Sequence, residues 1–576
     1  MKQKSSNNTI LRGLFFQLVI VNILINMIQP CNQLVDTILT GKALGSQALQ
    51  VYALFLPMNS FLLAVSCVLS NGVQITISHL IGKGDFKKSD TTVSTSFFVG
   101  IAGSLALSLI CFVFSGQLAS LLGAGVLSDS VSGYIRAYSV GIVPAILLDT
   151  IMCLMQMEGR KKLVVSGSLC VFAVNAVGDI ANIFIFRKGI EGMALATSVA
   201  NITACLFLGF FFITKSKIFK IGFQNIEVSC FNEVLKNGLP SLAYYGSLVI
   251  RSAFMNILIL TTFGREVLVP MLVFTNFGVF TDVIIGGYGD TVLVMGGILY
   301  GEKDKKGAVS LLIISIFSGA FMMVVVGALT VVFSKPLAEL FLSEKDISFV
   351  AQTARALVLA AWYLVPDIIS CIEKKYIQAV GNRLYTAITN FVYNVLCVCL
   401  FAVVLVHFLG SDGLFLAYTG CFLVAAIVNT FYVVFFSFRR FDLHDQKMMT
   451  YTIGNLNECI LASEEVCTFC RTNDISKKRG FLIGLFIEEI GKNIITYGFR
   501  KNHNNSIVLK IIVSEDKITL NIKDNCILFD PTHYYDTMRA DPDHSMDGIG
   551  IKMLMELSKN VTYTTTFNIN NLFIEV

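Results

Sequence analysis

The stretch "VFSGQLASLL" at 113–122 returns at 332–341 as "VFSKPLAELF", 219 residues further along the chain. At the same offset "GKGD" (82–85) meets "GEKD" (301–304), Arg136 meets Arg355, and Asn175 meets Asn394. "GIEGMALA" (189–196) pairs with "GSDGLFLA" (410–417) at a slightly larger offset. Self-similarity at a fixed offset marks a duplicated unit, so most of the chain reads as two related halves.

Both halves are apolar. Of 576 residues, 55% are hydrophobic and 14% charged, and the mean hydropathy is +0.70. Soluble proteins carry about 25% charged residues, and a bilayer-crossing helix needs about 20 consecutive apolar ones. Twelve candidate spans meet that requirement, near 13–40, 48–78, 92–115, 131–156, 163–186, 190–214, 238–263, 268–299, 308–333, 349–372, 384–409 and 413–437. The expected fold is an all-α polytopic membrane domain in the lipid bilayer, covering residues 1–440, with one six-helix lobe at about 10–220 and another at about 230–440. Two halves in the same orientation place a cavity near the midplane, which favours alternating access over a channel or a scaffold.

Charge sets the orientation. The segments on the N-terminal side hold 21 Lys and Arg, including "GKGDFKK", "GRKK", "KSKIFK", "GEKDKK", the "EKK" of 373–375 and Arg439–Arg440, against 8 on the other side. The positive-inside bias therefore puts both termini in the cytoplasm. A net charge of +5, with a single Trp at 362 and no basic block interleaved with aromatics, gives no sign of a nucleic-acid partner. The 15 cysteines lie largely inside apolar runs and read as packing residues in a reducing setting, "CTFC" (Cys467, Cys470) included.

Ionisable residues inside a membrane are costly and mark functional positions. The first half offers Asp36, Asp149, and the pair Asn175 and Asp179, which share one helix face; Thr197 adds a hydroxyl. Carboxylates with neutral oxygens suit a sodium ion or a shuttled proton. The second half has no carboxylate at the related positions, where Asn256 and Asn394 lie nearby. Its own candidates are Asp282, Asp290 and Asp367, with Arg251 expected to neutralise one of them.

At Phe441 the composition turns mixed polar. Short alternating runs, "SIVLKIIV" and "KITLNIKD", read as paired strands, and 481–500 reads as a helix. On that helix Glu489 and Asn493 project from one face, and "DNCILFDP" (524–531) and "DGIGIKMLMEL" (547–557) follow.

"VDTILTGKALGSQAL" (35–49), "GKGD", "NAVGD" (175–179), "GMALAT" (192–197) and "NGLPS" (237–241) resemble the MATE family of multidrug and toxic compound exporters over residues 10–440. The resemblance implies a multi-pass antiporter of the bacterial cytoplasmic (inner) membrane. It implies Asp36, Asn175, Asp179 and Thr197 as ligands of a coupling proton (H+) or sodium ion (Na+), and an amphipathic, often cationic, xenobiotic substrate. The tail, 441–576, resembles the α/β sandwich of GHKL ATPases, and most closely the serine kinases that regulate sigma factors. By that resemblance Asn493 holds Mg2+ against the phosphates of ATP and Glu489 is the catalytic general base. Asp524 accepts from the adenine amino group, and Gly548 and Gly550 belong to the phosphate lid; the partner would be a regulatory protein phosphorylated on serine or threonine. Cys526 departs from the family's box, which has Gly there, and sets a side chain beside the adenine pocket. The alternatives are a membrane-tethered sensor kinase and a lipid or glycan flippase on the same scaffold.

Overall fold

The computed structural model describes residues 3–44, 46–216, 218–219, 222, 226–263, 267–341, 347–437, 447–473, 475–499, 505–513, 518–540, 549–566 and 569–576. The chain divides into two compact units. One is Phe15–Met155 with Lys161–Phe441; the other is Met1–Leu14, Gln156–Arg160 and Asp442–Val576.

The first half of the apolar region contains α1 (Gln3–Leu39), α2 (Ser46–Lys83), α3 (Phe86–Val113), α4 (Ser115–Leu121), α5 (Ser128–Ser139), α6 (Ile142–Met157), α7 (Lys161–Ala181) and α8 (Gly189–Lys215). The second contains α9 (Val228–Thr262), α10 (Leu268–Gly301), α11 (Lys305–Val332), α12 (Ser334–Phe341), α13 (Ile347–Ala360), α14 (Leu364–Ala379), α15 (Arg383–Phe391), α16 (Val398–Leu409) and α17 (Ser411–Tyr432). Among the described residues ten helices are long and apolar enough to cross a membrane. Two helix pairs bent by 44°, Gly125–Ser139 with Ile142–Met157 and Val350–Ala360 with Leu364–Ala379, bring the number to as many as twelve. The two bent pairs occupy corresponding places in the halves.

The duplication is physical as well as textual. Asp85 caps α3 by accepting from the Lys88 N–H at 3.1 Å, and Asp304 caps α11 by accepting from the Gly307 N–H at 2.8 Å. The turns before these caps need a left-handed residue. Gly84 supplies it at φ 73°, whereas its counterpart Lys303 is held at φ 58° against its own Cβ. Gly82 and Gly301, also repeat-related, touch each other: a Cβ on either would lie 2.9 Å from the other's Cα. Only glycine allows this approach.

The lobes meet through small residues, as membrane helices do when backbones must come close. A Cβ on Gly72 of α2 would lie 2.2 Å from the Val234 carbonyl oxygen of α9, and one on Gly238 of α9 would lie 2.0 Å from that of Val68. Side-chain amides tie the same surfaces together. Asn237 donates to Thr76 Oγ1, Asn71 to Ser241 Oγ and Asn22 to Thr291 Oγ1, each at 2.9 Å. One assignment from charge changes. Glu373, Lys374 and Lys375, counted above as loop residues, lie within α14, which runs on to Ala379. Arg439 and Arg440 lie outside the described residues.

The tail holds β1 (Lys447–Ile453), α18 (Leu456–Thr472), α19 (Lys477–Asn493), β2 (Ile507–Val513), β3 (Ile518–Asp524), α20 (Pro531–Ala540), α21 (Ile549–Leu557), β4 (Asn560–Thr566) and β5 (Ile569–Glu575). The strands form one antiparallel sheet in the order β1-β2-β3-β5-β4. Alternation puts Ile507, Leu509, Ile511, Leu520, Ile522, Leu572 and Ile574 on one face, in a core shared with Ile483, Phe486, Ile487 and Ile490 of α19. Burying each such side chain contributes roughly 1.5–3 kcal/mol, which holds the helix layer to the sheet. Cys470 is buried against this core and Cys467 donates to the Gly480 carbonyl at 3.5 Å, so both act in packing.

Candidate functional site in the membrane lobes and the tail

In lobe 1, α1 and α7 bring three of the four expected ligands together. The Asn175 amide donates to Asp36 Oδ1 at 2.7 Å and, at 3.4 Å, to Asp179 Oδ2 one helical turn away. Asn175 and Asp179 are fully buried, at 1% and 0% exposure. Each keeps one buried oxygen, Asn175 Oδ1 and Asp179 Oδ1, with no hydrogen-bond partner. Buried acceptors without a donor are costly, so these two oxygens are positions where a proton or a cation would be favourable. Thr197 does not join them by a hydrogen bond among the described residues. Its hydroxyl donates back to Met193 O of its own helix at 3.2 Å.

The sequence reading missed the aromatic lining. Tyr52 lies near Thr37, the neighbour of Asp36, and within electrostatic reach of both carboxylates. Tyr138 donates to Asn59 Oδ1 at 3.0 Å, and its ring lies against Phe55 and Tyr134. No spacing rule points to these residues, because tyrosines in apolar helices read as ordinary core. Asp149 is separate from the trio and accepts from Ser66 Oγ of α2.

Lobe 2 is built differently. Asp290 of α10 forms an ion pair with Lys375 of α14 at 2.9 Å, and Asn26 donates to its other oxygen at 3.3 Å. The expected pairing of Arg251 with an aspartate is replaced by other contacts. Its Nη1 donates to Asn394 Oδ1 at 3.4 Å, and its guanidinium sits 5.3 Å from the centre of the Tyr418 ring. Asp282 and Asp367 lie within electrostatic reach of Arg251 and of Lys374. Lys374 and Lys375 went unrecognised because "EKK" at the end of an apolar run looks like a helix flank.

In the tail, Asn493 ends α19, and the helix continues as a wider turn over Ile494–Gly498. Glu489 and Gly550 are brought together: a Cβ on Gly550 would lie 2.4 Å from Glu489 Oε2. Gly548 lies outside the described residues. Asp524 is buried, and its Oδ1 accepts from the Cys526 N–H at 2.9 Å and from Asn570 Nδ2 at 2.7 Å. Burial raises its carboxyl above the ordinary aspartate value, and these two hydrogen bonds oppose that rise only in part. Asn570, which the sequence did not single out, is itself fixed by the Tyr563 hydroxyl at 2.9 Å. Cys526 is 2% exposed, and its Cβ packs 3.3 Å from where Gly498 would carry one. A glycine at 498 thus makes room for the cysteine at 526.

The sequence profile of the MatE family matches residues 22–181 and, a second time, 245–404. The chain belongs to the MatE family. Among curated relatives of this MatE protein, the multidrug export protein MepA of Staphylococcus aureus (strain bovine RF122 / ET3-1) is 25% identical over 265 residues, 46% of this chain and 58% of that protein. MepA of Staphylococcus haemolyticus is 23% identical over 312 residues, 53% of this chain and 68% of that protein. The match thus spans little more than half the length of the S. aureus protein. A solved MATE in complex with MaL6 superposes with a TM-score of 0.70 at 21% identity, over 75% of this chain and 96% of that one. A MOP superfamily transporter from Pyrococcus furiosus, described as having a binding pocket of reversed polarity that suggests a different function, gives a TM-score of 0.70 at 19% identity with the same coverage. These likenesses establish the fold of the membrane region.

Proposed function

We propose that this MatE protein is a cation-coupled exporter of amphipathic, often cationic small molecules, residing in the cytoplasmic membrane of a bacterium with both termini inside. The observation that carries this reading is the buried Asp36–Asn175–Asp179 trio with its two unpartnered oxygens. Such a group binds a proton or Na+ when the lobe closes and releases it when the lobe opens, which is how an ion gradient is coupled to efflux. The MepA relatives, named for multidrug export, support a xenobiotic cargo. Asp36→Asn and Asp179→Asn are expected to abolish export from cells at unchanged protein level. Unimpaired export in both variants would overturn the assignment.

For the tail, residues 441–576, the proposal is a GHKL-type regulatory domain that binds ATP with Mg2+. Glu489 would act as general base, Asn493 as the Mg2+ ligand, Asp524 at adenine, and Gly548 with Gly550 at the phosphates. The approach of Glu489 to Gly550 supports this set, because it brings the helix of 477–493 to the start of the helix that follows the glycine turn. Here Cys526, turned into the core against Gly498, is compatible with a base beside Asp524. Phosphate transfer to a serine or threonine of a partner protein is the activity such a domain would add. Mg2+-dependent ATP binding by the full-length protein, lost in Asn493→Ala, tests it; a protein indifferent to millimolar ATP contradicts it.

A further inference from the structure

Away from the aspartates of lobe 2, the seam between α14 and α17 holds Glu373, which is 1% exposed. The Thr430 hydroxyl of α17 donates to its Oε1 at 2.6 Å, and its Oε2 has no hydrogen-bond partner among the described residues. The polar groups around it are neutral and already committed. Asn429, beside Thr430, donates to Ser370 Oγ of α14 at 3.3 Å and accepts from the Tyr385 hydroxyl of α15 at 3.0 Å. The Tyr385 ring in turn stacks on Tyr432 of α17, with centres 3.7 Å apart. These contacts fasten α17 to α14 and α15 and leave a single carboxyl oxygen open.

Among the described residues no cation pairs with this carboxyl. Lys375 is taken by Asp290 of α10 at 2.9 Å, Arg383 of α15 by Glu233 at 3.0 Å, and Arg355 of α13 by Asp412 of α17. The charges of α11 are Lys305 and Lys306, both in its first turn. Asp367 and Lys374 lie on another face of α14, about 100–120° round the helix, the face within electrostatic reach of Asp282. On α17, the Cys421 thiol donates to the Tyr393 carbonyl at 3.1 Å, and the Tyr418 ring lies against Arg251. Tyr376, three residues on, and Tyr385 are phenols, neutral across the physiological range. An ionised Glu373 would thus lose its hydration for one hydroxyl in return. The fold does not need a carboxyl here, since the residue 219 positions earlier in lobe 1 is Leu154, at 0% exposure.

We propose that Glu373 is a proton-carrying group of lobe 2, separate from the lobe 1 trio, which takes a proton at Oε2 and gives it back during the transport cycle. The site stands on its own geometry, and its use in transport rests on the exporter reading above. A proton suits it better than a metal ion, because a hard cation takes several oxygens and here one is open. The proton comes from water and returns to it, so the group passes between carboxylate and carboxylic acid and no other bond changes. Thr430 is exposed, so one hydroxyl separates the buried carboxyl from the surface of the lobe. Neutral Glu373 rests in the seam with Oε1 as the carbonyl oxygen that Thr430 bonds. Ionised Glu373 places an unpaired charge there, which favours the parting of α14 and α17.

The test is infrared difference spectroscopy of the full-length protein in lipid, between acidic and alkaline pH. The carbonyl stretch of a protonated carboxyl lies above the amide bands and moves down in heavy water, which identifies it. The wild type is expected to gain such a band on acidification, and Glu373→Gln to lose one component of it. Thr430→Val is expected to keep that component at a higher frequency, since the carbonyl no longer accepts a hydrogen bond. Unchanged amide bands show that the variants are folded. Identical difference spectra in the wild type and Glu373→Gln overturn the proposal, because a carboxyl that stays ionised, or stays protonated, gives no difference. In liposomes Glu373→Gln is expected to lose most proton-driven dye movement, and movement at the wild-type rate overturns the role in transport. A wild type that moves no dye under either a proton or a Na+ gradient, yet shows the Glu373 component, contradicts the exporter reading and supports the proton site.

Discussion

Asn175 and Asn394 stand at the same position of the two repeats and do opposite work. In lobe 1 the amide nitrogen of Asn175 points at Asp36 and holds a carboxylate. In lobe 2 the amide oxygen of Asn394 points at Arg251 and holds a guanidinium. The carboxamide serves both because it is donor and acceptor in one group. Duplication has kept the scaffold and the neutral polar residue while the charge beside it changed sign. Lobe 1 became an acid-only site with spare oxygens, and lobe 2 became a site of mixed charge. The repeat-related arginines diverge in the same way. Arg136 donates to Ser115 Oγ at 2.7 Å, whereas Arg355 pairs with Asp412.

The largest expected effect is in lobe 1. Asn175→Ala removes the donor to Asp36 and is expected to reduce export nearly as far as Asp179→Asn does. Asn394→Ala is expected to retain more than about half of wild-type export, because Arg251 keeps the Tyr418 ring, and a cation–π contact is worth ~0.5–2 kcal/mol. Equal losses in the two alanine variants, measured as dye efflux at matched protein level, would erase the distinction between the lobes.

Next in size is the contact between Gly82 and Gly301. Gly301→Ala places a Cβ 2.4 Å from the His79 carbonyl oxygen, and Gly82→Ala places one 2.2 Å from that of Ile298. Each is expected to destabilise the contact between the lobes by roughly 1–3 kcal/mol, the usual range for overpacking, seen as a lower Tm of the detergent-solubilised protein. An unchanged Tm would mean that the lobes do not meet there. The smallest effect separates the two turns. Lys303→Gly relieves a left-handed lysine and is expected to raise stability by about 1 kcal/mol or less, while Gly84→Lys lowers it by a similar amount.

The tail provides a pH test outside the membrane. The buried Asp524 has a raised carboxyl pKa, so between that value and the ordinary aspartate value the folded tail binds more protons than the unfolded one. Stability from this group therefore rises as pH falls through the raised value and is lost as pH climbs above it. Asp524→Asn is expected to flatten that part of the tail's stability profile, followed by hydrogen exchange in the full-length protein. An unaltered profile would show that the carboxyl is not perturbed.

The legible part of the fold was whatever repeats or alternates. The offset between "VFSGQLASLL" and "VFSKPLAELF" announced two halves, and period-two runs announced the strands Ile507–Val513 and Ile518–Asp524. Asp36 and Asp179 stood out as carboxylates in apolar runs, as Asp149 did; the resemblance to the MATE motifs grouped them with Asn175, and Thr197, named with them, turns back to Met193 instead. Lys374 and Lys375 did not stand out, since a lysine near a helix end is ordinarily at the membrane surface and hydropathy cannot tell how far α14 continues. Tyr52 and Asn570 were invisible for a different reason. Each gains its role from a partner distant in sequence, Asp36 in one case and Asp524 in the other, and only folding brings them together.

The proposed coupling of an ion gradient to export runs through the buried trio of lobe 1. Its most direct measurement reconstitutes the full-length protein in liposomes, imposes a Na+ or proton gradient, and follows dye movement against it. Gradient-driven movement in the wild type and its complete loss in Asp179→Asn are the expected results. Movement at the wild-type rate in that variant would contradict it.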